Sequence, residues 1–123
     1  NVKFLLKNDF KCFKKSKSMF AMTAHILFKK IDNKHCVTHS KKIIKDLIRK
    51  KLGYKGVIIS DDIGMKSLKY DIVENALKAI SAGCNLTLYC QGRAKESLKL
   101  LNKIPPIDEF TKKKTSEFYN FLR

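Results

Sequence analysis

The chain has 123 residues, 44% of them hydrophobic, with two prolines and five glycines. That is enough for one domain with a core, and it excludes a disordered chain. Lys and Arg number 27 against 11 Asp and Glu, a net charge of +16. The excess is mostly Lys and is spread along the chain, whereas a sequence-reading nucleic-acid protein gathers arginines with interleaved aromatics.

No apolar run approaches the roughly 18 residues needed to span a membrane. No charged start leads into an apolar stretch and a cleavage site, so no signal peptide is expected. The first residue is Asn1, not Met, as in a processed, trimmed or incomplete product. Cys12, Cys36, Cys84 and Cys90 form no C-x-x-C pair and are too sparse for a disulfide scaffold. Free, buried thiols in a reducing compartment are expected. With His25, His35 and His39 they make no metal-ligand spacing, and no cofactor is expected.

Three units follow one another, each a short apolar strand, a polar loop and an amphipathic helix. The first strand is predicted over Met19 to Thr23, ending in Ala24-His25. A long loop over Leu27 to His39 follows, with His35 and His39 facing solvent. A helix is predicted from Lys41 to Leu52, with Ser40 as N-cap, Ile43, Ile44, Leu47, Ile48 and Leu52 on one face, and Gly53 as terminator.

The second strand, Gly56-Val57-Ile58-Ile59-Ser60, is uniformly apolar, which marks a strand covered on both faces, as in parallel sheets. The loop Asp61 to Tyr70 follows. Asp71 with Glu74 gives a capping-box pattern for a helix ending at Ala82 and Gly83, with Ile72, Val73, Ala76, Leu77 and Ile80 inward. A third strand is predicted over Asn85 to Tyr89, and a helix over Ala94 to Asn102, closed by Pro105-Pro106. A last helix is predicted over Asp108 to Leu122, packing through Phe110, Phe118, Phe121 and Leu122.

Strands alternating with helices imply an α/β fold with a parallel sheet, either open and doubly wound or an eight-stranded barrel. In both, functional groups gather past the carboxyl ends of strands. His25, Asp61 and Cys90-Gln91 hold such positions. No glycine-rich phosphate loop is present.

Asp61 and Asp62 are adjacent at a strand end, where Asp often serves only to cap a loop. The same place gives a catalytic carboxylate a rigid support, and both readings stand. Adjacent side chains diverge, so one carboxylate should lie over the sheet centre and the other toward a neighbouring loop or helix. His25 is either a hydrogen-bonded structural residue or a site residue. Met65 is either packing or site, and Phe20 and Met22 read as core.

The strings Met22-Thr23-Ala24-His25-Ile26, Lys51 through Met65 (KLGYKGVIISDDIGM) and Ala79-Ile80-Ser81-Ala82-Gly83-Cys84-Asn85 resemble the bacterial cytoplasmic β-N-acetylhexosaminidases of glycoside hydrolase family 3. The similarity covers roughly Asp9 to Pro106 in order and spacing. It implies a partial (β/α)8 TIM barrel, the last three strand–helix units plus a C-terminal helix. It implies a retaining hydrolase that removes terminal N-acetylglucosamine from peptidoglycan fragments during cell-wall recycling.

On that resemblance Asp61 is the nucleophile, kept ionised by nearby Lys charge. Asp62 is an orienting carboxylate, Met65 lies near the sugar, and His25 is the histidine ending the sixth strand. A whole barrel takes about 200 to 250 residues or more. The family's sugar-gripping K-H-[FI]-P-G-H-G segment, its acid/base loop and an arginine that reaches sugar hydroxyls are missing, and would lie before Asn1. The chain alone is then not expected to be a competent enzyme, and a complementary N-terminal chain would be its partner. Two other readings stand beside this one: a non-catalytic remnant of a split gene, and a basic binding protein.

Overall fold

In the computed structural model, which describes residues 2–14 and 16–123, three parallel strands form one sheet in the order β1 (Phe20–Met22), β2 (Val57–Asp62), β3 (Leu86–Leu88). The helices are α1 (Val2–Lys7), a π-helix (Lys42–Lys51), α2 (Ile72–Ala82), α3 (Ala94–Lys103) and α4 (Glu109–Phe121). Short 3₁₀ turns occupy Lys11–Phe13 and Val37–His39. The architecture is a mixed α/β fold with a small parallel sheet, and β2 is the central strand.

The faces of the sheet follow from alternation along the strands. Ile58 packs with Ile44, Tyr54, Ala79, Ala82 and Cys84, and Ala21 lies against the same cluster. The π-helix and α2 therefore cover this face. Phe20 and Val57 are register partners, as are Met22 and Ile59, so these four point to the opposite face. There Phe118 of α4 meets Phe20 edge-on at 5.0 Å. At the other end of that face Met22 is 60% exposed.

The helix expected over Lys41 to Leu52 is wound wider than an α-helix, and Leu52 N–H donates to Leu47 O at 2.8 Å, five residues back. Its apolar residues explain the winding. Ile43, Leu47 and Leu52, and Ile44, Ile48 and Leu52, recur every four or five residues, a stripe that drifts around a 3.6-residue turn and stays aligned in a π-helix. Ser40 caps it as expected, its Oγ accepting from Ile43 N–H at 3.1 Å. Gly53 and Gly83 follow the π-helix and α2 with φ of +70° and +122°, a region that L side chains rarely adopt.

Several expectations need correction. Strand β2 runs on through Asp61 and Asp62, because the ladder continues past Ser60: Asp61 N–H donates to Thr23 O at 3.2 Å and Ile63 N–H to Leu88 O at 2.9 Å. Asp71 caps α2 through Val73 and Glu74 N–H, but Glu74 pairs with Lys78 at 3.4 Å instead of closing the box. The buried stripe of α2 is Asn75, Ala76, Ala79 and Ala82, whereas Leu77 is exposed. Small residues let this helix approach the sheet closely. In α4 two of the four residues expected to pack do so: Phe118 meets Phe20, and the Arg49 guanidinium lies over the Phe110 ring at 5.7 Å, whereas Phe121 and Leu122 are 81% and 63% exposed. Thr111 is the residue α4 buries completely, taking a hydrogen bond from Asn85 Nδ2 at 3.1 Å. Cys84 alone is a buried thiol; Cys12 and Cys90 are exposed. Helix α1 carries no clear sequence signal at six residues, and is held by Val2, Leu5 and Leu6 against Ile31, Val37, Ile43 and Leu47.

Candidate active site at the carboxyl ends of the strands

Because all three strands run parallel, their carboxyl ends share one edge of the sheet. The segment after β1 brings His25, the end of β2 brings Asp61 and Asp62, and the segment after β3 brings Cys90 and Gln91. Ser60, just below, is fully buried, and its Oγ accepts from Leu88 N–H at 3.0 Å, which locks β3 to β2 under the site.

Asp62 is the most tightly held residue there, with 9% exposure. Its Oδ1 accepts from Gly64 N–H at 3.0 Å and Cys90 N–H at 3.1 Å, and its Oδ2 from Gln91 Nε2 at 3.0 Å. Burial alone would raise its pKa. The three hydrogen bonds and the nearby His25 outweigh burial and hold the carboxyl below the usual range. The main-chain carbonyl of Asp62 accepts from His25 Nε2 at 2.9 Å and Met65 N–H at 3.1 Å. Gly64 is needed for close approach: a Cβ there would lie 2.8 Å from Gln91 Cγ.

Asp61 differs. It is half-buried, and alternation along β2 sends its side chain to the sheet face shared by Ile59 and Met22. Its Oδ1 accepts from Asp62 N–H at 2.8 Å. Its Oδ2 accepts no hydrogen bond from the described residues, and none of their lysines or arginines lies at ion-pair distance. Of the two carboxylates, one is tied to neighbouring loops and the other is left over the sheet, the divergence their adjacency demands.

His25 bridges two strand ends. Its Nδ1 lies 2.8 Å from Thr38 Oγ1, opposite the Nε2 bond to Asp62 O. Met65 sits in the turn after β2 and is 42% exposed. His35 is exposed, but His39 is half-buried against Asn75 O at 3.1 Å, and burial lowers its pKa. Thr38 escaped the sequence reading. Its only signal is a hydroxyl in a polar loop, 13 residues from its partner His25. The buried Cys84 thiol is pushed up to about 12 by burial and stays protonated.

Surface concavities of about 410, 660 and 530 Å³ are lined by other residues and do not include Asp61. Among the described residues no cluster of His, Cys, Asp and Glu could hold a metal, and no helix is long and apolar enough to cross a membrane.

The family model described as glycosyl hydrolase family 3 N-terminal domain matches residues 6–114. The chain belongs to this family. It is 41% identical over 71 residues to a β-hexosaminidase of Mannheimia succiniciproducens, covering 56% of this chain and 20% of that protein. It is 36% identical over 92 residues to a β-hexosaminidase of Glaesserella parasuis, covering 70% of this chain and 27% of that one. The family 3 chain thus spans about a fifth to just over a quarter of the length of these curated relatives.

Among solved structures, the β-N-acetylglucosaminidase of Thermotoga maritima superposes with a TM-score of 0.72 at 25% identity, over 98% of this chain and 29% of that one. A family 3 β-N-acetylglucosaminidase of a Paenibacillus species gives 0.63 at 31% identity, over 80% and 20%.

Proposed function

We propose that this family 3 chain carries the nucleophile side of a retaining β-N-acetylhexosaminidase acting on terminal N-acetylglucosamine in peptidoglycan fragments. Residues 1–123 are then the C-terminal part of a (β/α)8 catalytic barrel that works in the cytoplasm. The observation that carries this reading is the pair of adjacent carboxylates. Asp62 is consumed by three hydrogen bonds, while Asp61 is fixed through one oxygen and leaves the other open over the sheet face.

In this mechanism Asp61 Oδ2 attacks the anomeric carbon, the leaving oxygen departs, and a glycosyl ester forms on Asp61. Water then adds at the same carbon and frees the carboxylate. The Asp62 N–H on Oδ1 keeps the attacking oxygen aimed, which is the positioning that displacement requires. Asp62 orients, His25 supports the strand end and Met65 lines the sugar position. The acid that protonates the leaving oxygen comes from the complementary part of the barrel, joined covalently or supplied as a second chain. Neither nucleic acid nor membrane is proposed as a partner.

The test pairs the chain with a complementary family 3 segment and supplies an aryl N-acetyl-β-glucosaminide. Release of the aryl alcohol is expected. A fluorinated analogue that slows the second step should leave a glycosyl adduct on the peptide containing Asp61. No turnover from a soluble, correctly paired assembly, or an adduct on another residue, overturns the reading.

A further inference from the structure

We propose that Thr38 is a positioning residue for the nucleophile: its hydroxyl orders the His25 ring, which clamps the Asp62 main chain that holds Asp61. This inference rests on the reading of Asp61 above, though its geometry stands by itself.

Thr38 is fully buried in the turn Val37–His39. Its Oγ1 lies 2.9 Å from Thr23 Oγ1, 2.8 Å from His25 Nδ1 and 3.2 Å from Ala24 O. All three partners come from the segment that leaves β1. On the far side of the ring, Nε2 faces the Asp62 carbonyl oxygen at 2.9 Å. A carbonyl oxygen carries no proton, so Nε2 must be the donor. In the neutral ring Nδ1 is then bare and needs a donor of its own. Thr38 is the hydroxyl within reach, and it has one proton.

The proton order of the network follows. Thr23 O–H donates to Thr38 Oγ1, Thr38 O–H donates to Nδ1, and Nε2–H donates to Asp62 O. Should the ring gain a proton, Nδ1–H donates to Thr38 Oγ1, and the Thr38 proton turns to Ala24 O. Thr38 thus holds the ring in one orientation in either state, because its hydroxyl can donate or accept. A methyl group in its place could do neither.

The consequence reaches Asp61 through one residue. Asp62 N–H donates to Asp61 Oδ1 at 2.8 Å. The Asp62 carboxylate is fixed by Gly64, Cys90 and Gln91, and its carbonyl by His25 and by Met65 N–H at 3.1 Å. Losing the His25 bond leaves that carbonyl only the local bond from Met65 N–H, so the peptide after Asp62 loses its tie to the end of β1 and the donor that aims Asp61 loosens. Small misplacements of a reacting group are costly, and about tenfold in kcat is the expected loss.

The experiment is ¹⁵N NMR of the imidazoles together with the Asp62 amide, on the chain and its Thr38→Val and Thr38→Ser variants. In the parent chain at a pH where His25 is neutral, one tautomer is expected, protonated at Nε2. Thr38→Ser keeps that signature. Thr38→Val broadens or averages the ring nitrogens and shifts the Asp62 amide. In the assembled enzyme Thr38→Val lowers kcat about tenfold with KM unchanged, and Thr38→Ser restores it.

If Thr38→Val does not fold, Thr38→Ala, which removes the hydroxyl without forcing a methyl toward Nδ1, is read instead. An unchanged His25 tautomer and Asp62 amide in a folded variant without the hydroxyl overturn the proposal, as does a failure of serine to rescue. The NMR signature appearing without any hydrolysis by the assembled parent leaves the Thr38 clamp in place and overturns the catalytic reading of Asp61.

Discussion

Replacing Asp62 by Ala removes the acceptor for two backbone N–H groups, those of Gly64 and Cys90, and for the Gln91 amide. Gln91 is exposed and can return to water. The backbone donors are the expensive loss. A hydrogen bond to a charged acceptor nets about 1.5–3 kcal/mol, so two imply roughly 3–6 kcal/mol of destabilisation. Urea unfolding followed by circular dichroism reads this as a fall of about 1.5–3 M in midpoint at an m of about 2 kcal/mol per M. Asp62→Asn keeps an oxygen for both N–H groups, and Gln91 can turn its own amide, so it costs about 1 kcal/mol.

The two variants also differ from the parent in acid. The folded-state pKa of Asp62 is depressed below its usual value of 3.8. Its contribution to stability is therefore present above that value and lost as pH falls through the lower folded-state pKa. Both variants should lack this part of the acid transition. A loss under about 1 kcal/mol for Asp62→Ala, equal losses for Ala and Asn, or an unaltered acid transition in Asp62→Asn would mean that the charged acceptor does not hold the two loops.

Asp61→Asn should abolish turnover in the assembled enzyme by about 10³-fold or more while shifting stability by less than about 1 kcal/mol, since one half-exposed hydrogen bond is altered; kinetics and a melt together check it. Gly64→Ala places a methyl 2.8 Å from Gln91 Cγ, so the Gln91 side chain should swing away at a cost of about 1 kcal/mol, visible as a changed Gln91 side-chain amide resonance. Asn85 holds Arg49 at 2.7 Å, Ile58 N–H at 2.9 Å and Thr111 at 3.1 Å. Asn85→Ala should therefore cost about 3 kcal/mol in a urea titration and release α4. Asp32 faces burial that would raise its pKa, but bonds from Ser40, Lys34 and His35 bring it to about 2. Its stabilisation is present above 3.8, its usual value, and lost as pH falls toward about 2. Ser40→Ala should raise that pKa by NMR titration and cost about 2 kcal/mol through the lost cap and lost donor.

The features legible in the chain alone are local. The uniformly apolar run into Asp61 announced a doubly covered parallel strand, since both of its faces must leave water. Asp71 announced the start of α2, and Ser40 that of the helix after the long loop, because short oxygens satisfy orphan N–H groups within three residues. The strand-end string around Asp61 also carried the family, whose model matches residues 6–114.

Features that need partners distant in the chain emerge only on folding. The stripe at Ile43, Ile44, Leu47, Ile48 and Leu52 marks a helix face in the sequence, but the wider π winding shows only in the folded chain, where Ile44 joins the cluster under Ile58 and Ile43 and Leu47 join the one with Ile31 and Val37. Alternation could say that the Asp61 and Asp62 side chains diverge. Only the arrival of Cys90 and Gln91 from β3 decides which of them is consumed. Thr38 has no local pattern at all, because its role exists only where a loop folds back over the end of β1. Local rules follow from backbone geometry that every chain shares, whereas a hydroxyl that orders a histidine depends on which strands become neighbours.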